Sequence, residues 1–277
     1  MSVNTPKVDC HIHIFDPERF PYTPDVFYRP SGHEVATATH LRYLLDAHDV
    51  HHAILSQPNS GYGLDNRCML SAVAEGRGRY KGVAVVMNDA SRQELQDLQG
   101  NGVVGIAFNV ALLGVEFYRD LPPLLQRLRD LNMLAQFQME GDQLLELQPM
   151  LLDSGVRIVF DHCGRPIPEK GLDQPGFAAL LALGRARRAY VKLSALSLCS
   201  HRPFPHEDVW PFIHALVEAY TPQFLMWASN WPFIRASARI DYGPLLAQME
   251  QLIPSESARH EIFWETPLRL YGFRQSL

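Results

Sequence analysis

Short apolar runs rich in β-branched and aromatic residues recur along the chain, and stretches with a helical period lie between them. Eight such runs are predicted as strands: Val8–Phe15, His52–Gln57, Gly82–Met87, Val103–Asn109, Met133–Met139, Arg157–Cys163, Tyr190–Ala195 and Phe224–Trp231. Thr39–His48, Arg92–Leu98, Leu121–Leu131, Leu144–Leu152, Phe177–Ala186 and Val209–Tyr220 place apolar residues at i, i+3 and i+4, which predicts amphipathic helices. Strand and helix in alternation give a parallel sheet. Most of the strands are continuously apolar, as strands covered on both faces should be. Alternation is compatible with a doubly wound open sheet as well as a closed barrel. Eight units in about 250 residues favour a single (β/α)8 barrel of class α/β, with its site at the carboxyl ends of the strands.

The segment Asp16–Thr37 breaks this rhythm with four prolines and no helical period. It is expected to be a long loop after the first strand, lying over the catalytic face. No low-complexity tract or linker divides the chain, so residues 1–277 are read as one domain. Hydrophobic residues make up 47% and charged residues 20%, an ordinary globular balance.

The formal charge is −5 and no basic run is present, so nucleic acid is not an expected partner. No apolar stretch reaches the ~18 residues that span a bilayer, and no signal-like segment opens the chain. No membrane association and a cytoplasmic location are expected. The pattern leaves the oligomeric state open. Cys10, Cys68, Cys163 and Cys199 lack CxxC spacing and are expected to be small buried residues.

The strands end in polar residues. The first carries His11 and His13, the second Ser56 and Gln57, the fourth Asn109, and the fifth Gln136 and Gln138. The sixth carries Asp161 and His162, the seventh Ser194, and the eighth Ser229 and Asn230. In a barrel these converge on one face. The period of two places His11 and His13 on one side of their strand. Two adjacent imidazoles in that position bind a metal, polarise a carbonyl, or form a hydrogen-bonded pair.

Three motifs in order, DCHIHIFD at Asp9–Asp16, DHCGRP at Asp161–Pro166 and WASNWP at Trp227–Pro232, resemble the amidohydrolase superfamily. Within it they are similar to the lactonases grouped with 2-pyrone-4,6-dicarboxylate lactonase. FPYTP at Phe20–Pro24, SQPNSGYGLDN at Ser56–Asn66, GVVGIAFN at Gly102–Asn109, VKLSAL at Val191–Leu196 and TPLRLYGF at Thr266–Phe273 extend the resemblance over most of the chain. It implies a barrel hydrolase of small lactones or related ring esters, working in catabolism. His11, His13 and His162 would surround the carbonyl and stabilise the oxyanion formed by water attack. Tyr28 and Ser56 would line the substrate pocket, and Arg165 would fork onto a substrate carboxylate. Asn109, Gln136, Gln138 and Ser194 complete the expected substrate-binding set. The partner would be a small lactone or carboxylated ring compound.

Two departures bear on the chemistry. The related enzymes end the eighth strand with an aspartate that activates water, and this chain has Asn230, whose amide cannot take a proton. Another group is then the base, or the chemistry differs, or the asparagine replaces a native aspartate. His162, Glu140 and Asp161 are the candidate substitutes, although the position of Asp161 after an apolar run can turn it from the pocket. Losing a carboxylate ligand also weakens a bound cation. No cofactor is therefore expected, and a divalent ion such as zinc would have only His11, His13 and His162 as ligands. The second departure is Ala107, where the dicarboxylate lactonase has an arginine. Its absence removes a charge-assisted contact worth ~1.5–3 kcal/mol, so a different substrate is expected. A decarboxylase or lactone isomerase on the same scaffold is the alternative, and a non-catalytic binder of small ring compounds is a further reading.

Overall fold

A computed structural model describes residues 5–274, so the outermost residues of the 1–277 domain reading lie outside the described residues. The strands are β1 (Lys7–Ile12), β2 (Val50–Ser56), β3 (Tyr80–Ala84), β4 (Val103–Asn109), β5 (Leu134–Gln138), β6 (Arg157–Phe160), β7 (Ala189–Leu193) and β8 (Leu225–Trp227). They form one parallel sheet in sequential order. A parallel bridge between Ile12 and Trp231 brings the last strand round to the first, with the His13 amide donating to the Trp231 carbonyl at 2.9 Å. The architecture is the expected (β/α)8 barrel, not an open sheet.

Helices α1 (Ala38–Ala47), α2 (Arg67–Glu75), α3 (Arg92–Gly100), α4 (Pro122–Asp130), α5 (Gln143–Ser154), α6 (Pro175–Arg185), α7 (Trp210–Tyr220) and α8 (Tyr242–Leu252) connect or follow the strands. Local chemistry starts several of them. Thr37 Oγ1 accepts from the His40 amide ahead of α1, and Ser91 Oγ from the Glu94 amide ahead of α3. The expected set lacked α2 and α8. Several strands are shorter than expected because their polar carboxyl-terminal residues leave the ladder and turn into the site. The sharpest case is Phe224–Trp231, of which only Leu225–Trp227 is strand.

Alternation along the strands divides the apolar residues into two layers. Ala135 and Phe137 of β5, Ile158 and Phe160 of β6, and Leu225 and Trp227 of β8 face the helices. Their neighbours Leu134, Val159, Met226 and Ala228 face the lumen, with Val8, Cys10, Ile54 and Val83. A final helix, α9 (Thr266–Tyr271), closes the lumen from the amino-terminal end of the strands. Leu268, Leu270 and Tyr271 join the lumen cluster there, with Trp264 and Phe273. The other end remains for polar side chains. No helix among the described residues is long and apolar enough to cross a membrane.

Candidate active site

A cavity of about 320 Å³ opens at the carboxyl ends of the strands, where His11, His13, Ser56, Gln136, Asp161, His162 and Asn230 meet. The loop after β1 contributes Phe27 to its wall. The pairing of β1 with β2 shifts register between Asp9 and Ile12. Such an irregularity turns the strand locally, so that Cys10 joins the lumen cluster and His11, the next residue, also reaches the interior polar groups. Asp9 turns outward instead. Its carboxylate accepts from Tyr242 Oη of α8 at 2.8 Å and from the Ser229 and His11 amides at 3.0 and 3.2 Å. Burial outweighs these donors and pushes the Asp9 carboxyl up to about 6.

The floor of the cavity is a closed polar network. Asp161 shares the face of Val159 and points inward: Oδ1 lies 3.2 Å from His11 Nδ1 and 3.1 Å from Lys192 Nζ, and Oδ2 accepts from Gln136 Nε2 at 2.9 Å. Lys192 is 0% exposed and also donates to Gln136 Oε1 at 2.6 Å, which fixes the orientation of that amide. Its Nζ is 3.3 Å from His11 Nδ1. Burial alone would raise the Asp161 carboxyl. The Lys192 ammonium, followed by His11, overcomes burial and holds the carboxyl far below the usual range. Asp161 is therefore a charged partner of Lys192, and a poor base. Lys192 was not among the expected site residues, although a signal was present. It interrupts an apolar strand on the same face as Tyr190 and Ser194, and a lysine covered on both sides needs a partner.

The three histidines are each held through Nδ1. His13 Nδ1 donates to the Ser56 carbonyl at 2.8 Å, so its Nε2 carries a lone pair. His11 Nε2 lies 3.3 Å from His13 Nε2, and His162 Nδ1 lies 3.0 Å from Ser194 Oγ. His162, Cys163 and Arg165 all have left-handed backbones (φ 54°, 56° and 48°), and this tight winding sends His162 and Arg165 to the cavity while Cys163 enters the core. Burial, then neighbouring His11, lowers His162 well below its usual range and His13 to about 3, and burial also lowers His11. The cluster is thus neutral apart from the Asp161 and Lys192 pair.

The remaining expected residues are distributed between wall and second layer. Ser56, Asn109, Gln136, Gln138 and Arg165 line the cavity. Ser194 and Tyr28 do not line it: Ser194 Oγ meets His162 Nδ1, and Tyr28 Oη donates to Glu34 Oε2 at 2.6 Å. Asn230 adopts φ 62°, a conformation that Asn and Asp tolerate better than other non-glycine residues, and its backbone N–H donates to the His11 carbonyl at 3.0 Å. Glu140 pairs with Arg165 at 3.1 Å and is half-exposed, away from the histidines. Gln57 and Arg235 also line the cavity, beyond the expected set. The Arg235 amide donates to Glu34 Oε1 at 2.6 Å, and its guanidinium lies over the Tyr28 ring. Arg165 Nε is buried without a hydrogen-bond partner among the described residues. The four cysteines are buried and free, and burial pushes the Cys10 and Cys163 thiols up, which disfavours the reactive thiolate. His11, Asp161 and His162 bring ligand atoms within 4.8 Å of one another, a grouping of the kind that can hold a metal ion.

The amidohydrolase family profile matches residues 8–273. The 2-pyrone-4,6-dicarboxylate hydrolase of Comamonas testosteroni is 30% identical over 277 residues, covering 95% of this chain and 89% of its own. The 4-sulfomuconolactone hydrolase of Rhizobium radiobacter is 28% identical over 274 residues, with the same coverage of 95% and 89%. Among solved structures, a probable 2-pyrone-4,6-dicarboxylic acid hydrolase of Acinetobacter baumannii with citric acid bound superposes with a TM-score of 0.88 at 26% identity, covering 96% of this chain and 99% of that one. With a family match over nearly its whole length and a histidine cluster at the carboxyl ends of its strands, this chain belongs to the amidohydrolase family.

Proposed function

We propose that the protein is a lactone hydrolase that opens a small carboxylated ring ester by water attack on the carbonyl. The observation that carries this reading is the convergence of neutral His11, His13 and His162 on one cavity. Neutral imidazoles in a buried site can donate a hydrogen bond to a developing oxyanion without a competing charge. Arg165 and Arg235 on the wall suit a carboxylate on the ring. Ala107 removes a further cation from the wall, which favours a substrate with fewer carboxylates than the dicarboxylate of the Comamonas relative. Both curated relatives above are named hydrolases, which favours hydrolysis over decarboxylation, isomerisation or binding without turnover.

The grouping of His11, Asp161 and His162 is a poor fit for a divalent ion. Its single carboxylate is already neutralised by Lys192 at 3.1 Å, and the same ammonium stands 3.3 Å from His11. A dication would enter beside a buried cation and gain no unbalanced negative charge. The reading is therefore hydrolysis by the side chains alone. The test is a panel of carboxylated and neutral lactones given to chelator-treated protein, with acid release followed in a pH-stat. Acid release from carboxylated lactones is expected. Carbon dioxide release, or no turnover of any lactone, would sink the proposal, and activity restored only by added metal would sink its metal-free part.

A further inference from the structure

We infer that Glu34 is a positioning residue for substrate recognition: it holds Arg235 on the cavity wall by the backbone and so leaves the guanidinium free for the substrate carboxylate. Glu34 lies near the end of the long loop after β1 and is only 6% exposed. Its foothold is firm, because Phe15 and Ala36 exchange backbone hydrogen bonds at 2.9 and 3.0 Å and close the base of that loop. From there the carboxylate crosses to the loop after β8, where Oε1 accepts from the Arg235 backbone N–H at 2.6 Å. Oε2 accepts from Tyr28 Oη at 2.6 Å and from the Ser31 backbone N–H at 3.3 Å. Three donors from two loops thus converge on one side chain.

The loop that Glu34 grips is strained. Asn230, Phe233 and Arg235 all have left-handed backbones (φ 62°, 63° and 58°), which residues with a Cβ adopt only at a cost. Such a conformation persists where its surroundings over-determine it, and the bond to Glu34 supplies that constraint at Arg235. The charges are arranged to match. The Arg235 guanidinium lies over the Tyr28 ring, 5.7 Å from its centre, and forms no ion pair with Glu34. Burial alone would raise the Glu34 carboxyl, but the Tyr28 hydroxyl and then the Arg235 and Ser31 N–H groups overcome it and lower the carboxyl, so Glu34 is a carboxylate at neutral pH. Saturated by uncharged donors, it has no need of the guanidinium. A direct pair would instead have cancelled the charge that an anionic ligand requires.

The role rests on the proposed reading that a carboxylate on the ring meets the arginines of the wall. Arg235 lines the cavity and Glu34 does not, so Glu34 acts through Arg235 and touches no substrate. The sign of its effect separates positioning from plain electrostatics. As a negative charge near the site, Glu34 repels an incoming anion, and its loss would tighten anion binding. As the anchor of Arg235, its loss weakens anion binding.

Benzoate and benzamide, a ring carboxylate and its uncharged counterpart, test this without turnover, by titration calorimetry on the full chain. The wild type is expected to bind benzoate at least about tenfold more tightly than benzamide. Glu34→Gln keeps the size of the side chain but has one acceptor oxygen for donors on two sides, and is expected to weaken benzoate about tenfold and benzamide less than about twofold. Arg235→Ala should weaken benzoate to the same extent, and adding Glu34→Gln to it should cost less than about twofold more. Benzoate binding that is unchanged or tighter in Glu34→Gln overturns the inference, as do additive effects of the two substitutions, equal losses for both ligands, or a wild type without preference for benzoate. If Glu34→Gln does not fold, Tyr28→Phe removes one donor from the carboxylate and keeps the ring under Arg235; benzoate is then expected to weaken about threefold, and an unchanged affinity overturns the inference. A lactone panel without turnover would sink the hydrolase reading and leave these binding results standing.

Discussion

The floor and the wall of the cavity handle charge in opposite ways. On the floor, Asp161, Lys192, Gln136 and His11 satisfy one another within a fully buried network, and the charges cancel. On the wall, Arg165 has only the half-exposed Glu140 as partner, and the Arg235 side chain has an aromatic ring and no ion pair among the described residues. A buried charge must find its partner inside the fold, whereas a charge at the rim can be left to water until an anion arrives. On the proposed reading, chemistry belongs to the floor and recognition to the wall.

The strongest way to break this contrast is to remove one half of the buried pair. Lys192→Met should destabilise the fold by ~3–5 kcal/mol, because it strands the Asp161 carboxylate. Denaturant unfolding would measure the loss, and a loss under 1 kcal/mol, within the range of an exposed pair, would show that the pair is solvated. On the wall, Arg165→Ala should raise KM for a carboxylated lactone by about 10- to 100-fold, the equivalent of ~1.5–3 kcal/mol, with kcat and stability nearly unchanged. A fall in kcat of similar size would move Arg165 into the chemistry.

Asn230→Asp sharpens the boundary between the two regions, since the position already has a backbone that aspartate tolerates. A carboxylate there should raise kcat by roughly tenfold at neutral pH. An unchanged kcat in steady-state assays would count against position 230 as a place from which water can be activated. The smallest expected effect lies behind the floor, at Asp9. Its folded carboxyl sits at about 6, above the ordinary 3.8, so the folded state binds the extra proton between those values. The stability it contributes is complete below about pH 4 and is lost as the pH rises through 6. Asp9→Asn removes that dependence. The melting temperature of the variant should gain a few degrees on the wild type between pH 5 and pH 8, and a parallel pair of curves would refute the shifted carboxyl.

Much of the fold was legible because a two-residue period inside strands and a 3.6-residue period between them are local signals. Leu134, Gln136 and Gln138 alternate with Ala135 and Phe137 as an unbroken strand requires. The irregularity in β1 was not legible: strict alternation separates Cys10 from His11, and the register shift brings both inward. Helix α2 follows a turn-rich segment, and α8 follows the loop that carries Arg235, so neither starts directly at the end of its strand.

Local pattern along the chain was enough for the barrel, the family resemblance and the convergence of His11, His13 and His162, since strand order and period dictate which residues reach the carboxyl ends. Tertiary structure alone decided their electrical state. Lys192, Asp161 and His11 are far apart along the chain, and only barrel closure places an ammonium within 3.1 Å of one and 3.3 Å of the other. The identity of a histidine's protonated nitrogen depends on which partner faces it, and that is a property of distances between strands.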